Sequence, residues 1–365
     1  MTALLPEGFH DRLPPFADAA AAVEARVLEA ARRHGYERAD PPLVEFAAAL
    51  GSRLKDGALT DAVRFIDPIS QATLAIRPDL TAQIARIAAT RMGHHPRPVR
   101  LSYAGSVLRL RGSQLAPARE WRQIGCELIG LDTVAAAREL VGVAVEAIGA
   151  AGASGVSVDF TLPDVVDQLS TVLPVEPERV ETLRDRLDAK DASAVAEIAP
   201  AYLPLIEAAG PFVPALARLR AFDTRGALTG RLDGLAAIAE TLDGVTLTLD
   251  PTERHGFEYQ SWLGFSLFVA GAPREAGRGG TYTVVHEDGR EEAAVGFSLF
   301  ADALIAGAPR PERTRLFLPI GTPAADGLRL RAEGWVTVAA LEADDTPEAQ
   351  LCTHRWTGQA VEAVA

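Results

Sequence analysis

The sequence predicts an α+β fold with an all-helical insertion and a small C-terminal α/β segment. Two long strand patterns, 99–110 and 120–129, indicate a sheet in the N-terminal half. From about 163 to 242 the strand patterns vanish, and Leu, Ala, Arg and Glu recur at helical spacing. A Pro-rich stretch, 308–311, is a candidate linker. We therefore predict a main domain of 1–162 with 243–307, a helical insertion at 163–242 and a small C-terminal domain at 312–365.

The N-terminal elements alternate between helices and extended segments. A helical pattern opens at Pro14-Pro15 and runs to about His34, and Gly35 stands where a C-terminal cap belongs. The extended segment 36–45 holds two consecutive prolines, which cannot sit in mid-sheet, so it is an edge or interface strand. Asp79 is placed to cap a helix that runs through Met92.

Further helices and strands are predicted after residue 130. Glycine-rich 277–280 precedes a strand pattern, and by itself it reads as a tight turn. The C-terminal segment, 314–365, reads strand, helix, strand and then irregular. The remaining patterns predict helices at 133–151 and 298–305 and strands at 156–160, 245–250, 257–270 and 281–286.

Composition excludes several classes of protein. The chain carries 36 basic and 49 acidic residues, a formal charge of −13, so it is a poor general binder of nucleic acid. Two cysteines cannot form a disulfide framework, and no apolar run reaches the roughly 18 residues of a membrane helix. With no secretory signal at Met1–Asp11, we predict a cytoplasmic location. Phosphate-loop, zinc-protease and dinucleotide motifs are also missing from the sequence.

Polar residues on two predicted elements indicate a pocket. Asp79 and Thr81, at a helix start, either cap that helix or present a carboxylate and a hydroxyl to an ammonium group. Gln123 and Glu127 share one face of a strand and flank Gly125, and Arg109 lies on the strand before. This pattern fits either a polar pocket with room for a ligand or a solvent-facing strand.

Two later segments complete the set of polar candidates. One contains Arg254, Glu258, Tyr259 and Gln260, with His255 as the alternative to Arg254. The other runs from Gly279 to Tyr282 and is followed by 294–297.

The order and spacing of these segments resemble the catalytic domain of histidyl-tRNA synthetase, a class II aminoacyl-tRNA synthetase. The resemblance covers roughly residues 4 to 307 and implies the class II antiparallel sheet flanked by helices. The segments that carry it are the opening Leu5–Asp11, the Pro-bearing 36–42, Arg77–Ala82 and Tyr103–Gly130.

The departures from the synthetase pattern concern ATP. Arg111 stands where the synthetase has an acidic residue, and Gly112 stands where it has Arg. The third motif, normally Gly-Phe-Ala-x-Gly-x-Glu-Arg, ends here at Ala303 in place of Arg. Loss of fixed cations removes transition-state stabilisation from a phosphoryl site. Only about fifty residues follow the linker, too few for the full anticodon-binding domain.

A retained amino-acid pocket without ATP and tRNA machinery resembles the regulatory subunits of ATP phosphoribosyltransferase. That resemblance implies a non-catalytic chain in the first step of histidine biosynthesis, without metal or cofactor, that activates the short-form catalytic subunit and mediates feedback inhibition by histidine. It implies a homodimeric core within a hetero-octamer, with no membrane or nucleic-acid partner. The histidine-binding residues implied are Asp79, Thr81, Arg109, Gln123, Glu127, Arg254, Tyr259 and Tyr282.

Within that set, Asp79 and Glu127 would take the ammonium group, the arginines the carboxylate and the tyrosines the imidazole. Two other functions stay open at this point: a divergent but active histidyl-tRNA synthetase, and a stand-alone histidine sensor. An ATP–pyrophosphate exchange assay separates the first, and co-purification with a catalytic partner separates the second.

Overall fold

The computed structural model describes residues 5–51, 62–112, 117–254, 260–308 and 314–364. It divides into two compact units, Met1–Pro309 and Arg310–Ala365. The helices are α1 Phe16–Arg33, α2 Ala47–Gly51, α3 Thr81–Thr90, α4 Val134–Ala150, α5 Val165–Ser170, α6 Pro177–Asp188, α7 Ala192–Ile198, α8 Leu203–Glu207, α9 Phe212–Phe222, α10 Thr229–Ala239, α11 Ala301–Gly307 and α12 Ala324–Ala332.

The strands confirm the α+β class. They are β1 Glu37–Arg38, β2 Val44–Phe46, β3 Arg64–Ile66, β4 Thr73–Ile76, β5 Val99–Leu108, β6 Glu120–Ile129, β7 Ser157–Thr161, β8 Gly210–Pro211, β9 Thr246–Leu249, β10 Gln260–Phe268, β11 Gly277–Val285, β12 Glu291–Phe300, β13 Arg315–Leu318, β14 Val336–Ala339, β15 His354–Trp356 and β16 Val361–Ala363.

A nine-stranded sheet organises the first unit, in the order β1-β5-β6-β12-β11-β10-β7-β9-β8. Its pairs are antiparallel except β1 with β5 and β7 with β9. In β6, Ile124, Cys126 and Leu128 belong to the main hydrophobic core together with α1 and α4. Because strand side chains alternate between faces, Gln123 and Glu127 lie on the opposite face.

Helix α3 covers part of that opposite face. Leu80 and Ile84 pack with Leu101 and Val284 of the sheet in a second hydrophobic core. This packing fixes the start of α3 beside the polar side chains of β6, which positions the candidate site.

The segment predicted as a helical insertion contains α5 to α10, with the two-residue strand β8 between α8 and α9. Its buried residues, such as Leu187, Phe212 and Leu235, join the main core together with Phe160 of β7. The rings of Phe160 and Phe212 meet edge to face, with centroids 5.7 Å apart. The insertion therefore packs on the edge of the sheet that carries β7 and β9.

The structure differs from the sequence predictions at four places. The extended segment 36–45 is split, because β1 joins the large sheet while β2 joins a separate three-stranded sheet of β2, β4 and β3. The glycines at 277–280 lie inside β11, where they form ladder pairs with β12. Strand β12 itself was not predicted, and the helix predicted at 298–305 begins at Ala301.

The second unit is a four-stranded sheet in the order β14-β13-β15-β16, with α12 between β13 and β14. Leu316, Leu318, Leu330 and Trp356 form its core. The tail, which the sequence indicated to be irregular, pairs as β15 and β16 because Trp356 anchors it in that core.

Candidate functional site

The carboxyl group of Glu127 is the centre of a buried hydrogen-bond network on the α3 side of the large sheet. Its Oε1 accepts the Thr81 hydroxyl and the Tyr103 hydroxyl, each at 3.0 Å. Its Oε2 accepts the Tyr282 hydroxyl at 2.8 Å. Glu127 is only 1% exposed, and the structure therefore brings three of the predicted site residues into direct contact.

Gln123 joins this network to the start of α3. Its Oε1 accepts the Leu80 N–H at 3.1 Å, so its Nε2 must be the donor to Asp79 Oδ2 at 2.9 Å and to Ser298 Oγ at 2.5 Å. The other Asp79 oxygen accepts the Thr81 N–H at 2.7 Å. Leu80, and not Asp79 as predicted, is the N-cap residue of α3. Asp79 stands one residue earlier, accepts the N–H of the first helical residue and belongs to the pocket.

The space above Gly125 is filled by protein, contrary to the expectation that it leaves room for a ligand. Tyr103 is the cross-strand partner of Gly125, and a Cβ at Gly125 would lie 2.6 Å from Tyr103 Cζ. The Tyr103 hydroxyl also lies 2.9 Å from Ser298 Oγ. A glycine is needed at position 125 because the Tyr103 ring lies over it to reach Glu127 on the same face of the sheet.

Sequence reasoning did not select Tyr103 or Ser298 as site residues. In the register of β5 and β6, Tyr103 lies opposite Gly125. A large residue opposite a glycine on paired strands is the sequence signal that could have identified Tyr103.

Burial governs the electrostatics of the two carboxyl groups. Removal from water raises the pKa of Glu127 to about 8, because its three hydroxyl donors offset the burial only in part. Burial also raises the pKa of Asp79, against the lowering by the Gln123 amide and the Thr81 N–H. Two acidic groups held mainly by neutral donors create a site that favours an entering cation.

The cavity beside this network is small. It holds about 10 Å³, roughly the room for one water molecule. Thr81, Glu127, Tyr282, Ser298 and Gln260 contribute to its walls. An amino acid therefore needs a rearrangement of these walls to enter.

Arg109 lies at the rim of the site. Its guanidinium stacks over the Trp121 ring at 4.7 Å from the centroid, and its positive charge lowers the pKa of Asp79. Arg109 is exposed, just beyond the end of β5.

Arg254 is not brought into this cluster. Its Nη1 contacts Glu181 at 2.9 Å and Asp185 at 3.2 Å, and its backbone N–H donates to Asp188. These partners all belong to α6, so the side chain points to the helical insertion, which corrects its predicted place beside the ligand carboxylate. Tyr259 and the alternative His255 lie outside the described residues.

Within the ranges that the structure describes, His, Cys, Asp and Glu side chains nowhere gather in threes as a metal site would need. Among the helices that it describes, none combines the length and the apolar character of a membrane span.

The chain is similar to the same group of known proteins in sequence and in fold. Residues 8–304 match the histidyl-tRNA synthetase family. A relative from Rhodospirillum centenum, an ATP phosphoribosyltransferase regulatory subunit, is 44% identical and aligns over 99% of this chain and 96% of its own length.

Solved structures show the class II synthetase-like fold. A chain from Bacillus halodurans, described as an ATP phosphoribosyltransferase regulatory subunit/histidyl-tRNA synthetase, superposes with a TM-score of 0.78 at 23% identity and 96% coverage of both chains. A chain of the ATP phosphoribosyltransferase complex from Thermotoga maritima gives a TM-score of 0.58 at 18% identity, covering 77% of this chain and 97% of that one.

Proposed function

This chain belongs to the histidyl-tRNA synthetase-like family of ATP phosphoribosyltransferase regulatory subunits, and from that premise we propose that it activates a short-form catalytic subunit and carries the site of feedback inhibition by histidine. The observation that carries the proposal is the retained network of Glu127, Asp79, Thr81 and Tyr282 beside a changed ATP side. The role we propose belongs to the first step of histidine biosynthesis, as the resemblance to these regulatory subunits implies.

The network suits an amino-acid effector. Asp79 and Glu127 offer two acidic groups to an ammonium group, Glu127 as a carboxylate once binding has released its proton. Thr81 and Gln123 hold both side chains in place. We assign the ligand carboxylate to Arg109, because its positive charge already acts on Asp79 at the start of α3 and a guanidinium pairs well with a carboxylate. Tyr282 borders the cavity, where it can bound an imidazole ring.

Two positions of the third motif differ from the synthetase, in which this motif contributes to ATP binding. Ala303 is buried in the main core, where the synthetase motif has an arginine. Phe300 stands where that motif has a glycine, and it lies on the pocket face because it follows Gly296 and Ser298 at two-residue spacing. Both changes argue against amino-acid adenylation.

We expect no histidine-dependent ATP–pyrophosphate exchange from this chain. A pentavalent phosphorus needs fixed positive charge, and loss of one such donor costs about 2.7–4 kcal/mol of transition-state stabilisation. The assay compares the purified chain with an active histidyl-tRNA synthetase and with a no-enzyme blank. Exchange clearly above the blank, in a preparation free of host synthetase, means that the chain is a divergent synthetase after all.

We propose that the segment 36–45 forms a homodimeric core together with the three-stranded sheet of β2, β4 and β3. Phe46 of β2 and Phe65 of β3 are both register partners of Leu74, which gives an apolar row across this sheet. Phe46 is 54% exposed and Phe65 is 43% exposed. Exposed aromatic residues in a continuous row are typical of a surface that a protein partner covers.

We expect a dimer at micromolar concentration by light scattering, and a shift toward monomer in Phe46→Glu and Phe65→Glu. A buried unpaired carboxylate at a subunit interface costs several kcal/mol, enough to dissociate such a dimer. Phe268→Glu is the matched control, because Phe268 is exposed at the end of β10. A wild-type monomer, or a dimer that survives both Phe46→Glu and Phe65→Glu, contradicts this interface.

A hetero-octamer of four regulatory and four catalytic chains in the cytoplasm completes the proposal. The two cysteines, Cys126 and Cys352, are free and buried, which agrees with a reducing compartment. A mass measurement on the purified complex tests the stoichiometry.

A further inference from the structure

Three glycines form a continuous row across the large sheet. Gly264 of β10, Gly280 of β11 and Gly296 of β12 are register partners in turn. Glu127 is the next partner beyond Gly296, and Thr161 is the next beyond Gly264. Because neighbouring strands are about 4.8 Å apart, the outer two glycines bound a trough without Cβ atoms that is roughly 10 Å long.

Two side chains fill this glycine trough from its ends. Glu127 lies directly over Gly296. Gln260 lies over the other two, since a Cβ at Gly280 would be 2.7 Å from Gln260 Nε2 and a Cβ at Gly264 would be 2.5 Å from its Oε1. Only the cavity of about 10 Å³ remains between the walls.

A hydrogen bond to the backbone holds the Gln260 carboxamide in the trough. Its Nε2 donates to the carbonyl of Gly279 at 2.8 Å. The carboxamide is neutral, and this bond is of the ordinary kind that a competing ligand can replace.

A bulge in β10 brings Gln260 to this place. The register with β11 shifts between Gln260 and Gly264, so that β10 contains two more residues than its partner. Within the bulge, Trp262 and Leu263 donate their N–H groups to the Thr281 hydroxyl at 3.1 and 3.0 Å. Thr281 therefore anchors the bulge, and the bulge fixes Gln260 over the glycines.

We propose that Gln260 closes the effector pocket, and that an amino-acid ligand enters by displacing its carboxamide from the glycine trough. This inference rests on the proposed function of the pocket as an effector site. Only a fraction of the ligand-free molecules then has an open pocket. Because only that fraction can bind, the apparent affinity for the ligand is reduced in proportion to it. Gln260 thereby sets the concentration at which the effector acts.

Calorimetric titration of histidine into wild type and Gln260→Ala tests the proposal. We expect the variant to bind about three- to tenfold more tightly, the factor that one ordinary neutral hydrogen bond represents. Gln260→Ser, which also empties the trough, should show the same direction. Gln168→Ala in α5 is the matched control, because its amide donates to Asp164 within the insertion. The histidine affinity of this variant should equal that of wild type.

Affinity that is unchanged or weaker in both Gln260 variants overturns the closing role and indicates that the amide contacts the ligand or only supports the fold. Failure of the wild type itself to bind histidine is a different result, because it removes the effector site together with this inference. Thermal unfolding of each variant without ligand confirms that a folded protein is compared.

Discussion

A short-form ATP phosphoribosyltransferase catalytic chain should gain at least about tenfold in activity when this protein is added, about 1.4 kcal/mol of the activation barrier. The physical reason is that a regulatory chain changes the rate of its partner by binding one state of that partner better than another. The measurement is phosphoribosyl transfer to ATP by the catalytic chain, alone and with increasing amounts of this protein.

The control for activation is the Glu127→Gln variant, which keeps the surface of the protein and changes only the buried pocket. It should activate as well as wild type does. If the catalytic chain runs equally fast alone, the regulatory role is wrong, and histidine binding without activation then favours a stand-alone sensor.

The second expected result is that Glu127→Gln binds histidine at least about tenfold more weakly than wild type. A hydrogen bond to a charged group contributes about 1.5–3 kcal/mol, and the substitution keeps the shape while removing the charge that the ammonium meets. Calorimetry measures the affinity, and inhibition assays on the reconstituted complex measure the consequence. Inhibition by histidine should move to correspondingly higher concentration.

A matched carboxylate outside the pocket controls for general effects of lost charge. Glu139 of α4 is hydrogen bonded to Arg100 and Tyr36 on the other face of the sheet. Glu139→Gln should bind histidine as wild type does. Equal histidine affinity in Glu127→Gln and wild type, with unchanged inhibition of the complex, excludes this pocket as the effector site.

The pH dependence of binding follows from the same carboxyl group. With a pKa of about 8, ligand-free Glu127 is mostly protonated at neutral pH. An entering ammonium favours the carboxylate, so binding releases a proton, and histidine affinity should rise from about pH 7 to 8 and flatten above it. Glu127→Gln should lose this slope, and affinity that falls with pH over the same range contradicts the assignment.

The candidate site was predicted in part because its residues occur at regular positions on strands. Period-two spacing placed Gln123 and Glu127 on one face, and the start of α3 placed Asp79 and Thr81 together. The sequence could not show that Tyr103 fills the space over Gly125, because that requires the register between β5 and β6.

Arg254 and Gln260 illustrate what depends on long-range packing. Arg254 follows β9, and its environment is decided by α6, some seventy residues earlier in the chain. Gln260 reaches the pocket only because two extra residues bulge out of β10, and no local pattern distinguishes a bulged strand from a regular one.

The sequence by itself determined the α+β class, the helical insertion pattern, the family and most of the residues around Glu127, because periodicity and motif spacing are properties of neighbouring residues. Only the tertiary structure decided that three glycines on separate strands align into one trough, and that Gln260 and Glu127 fill it. The physical reason is that strand register is set by the packing of both sheet faces, so contacts between residues distant in the chain exist only once the whole sheet has formed.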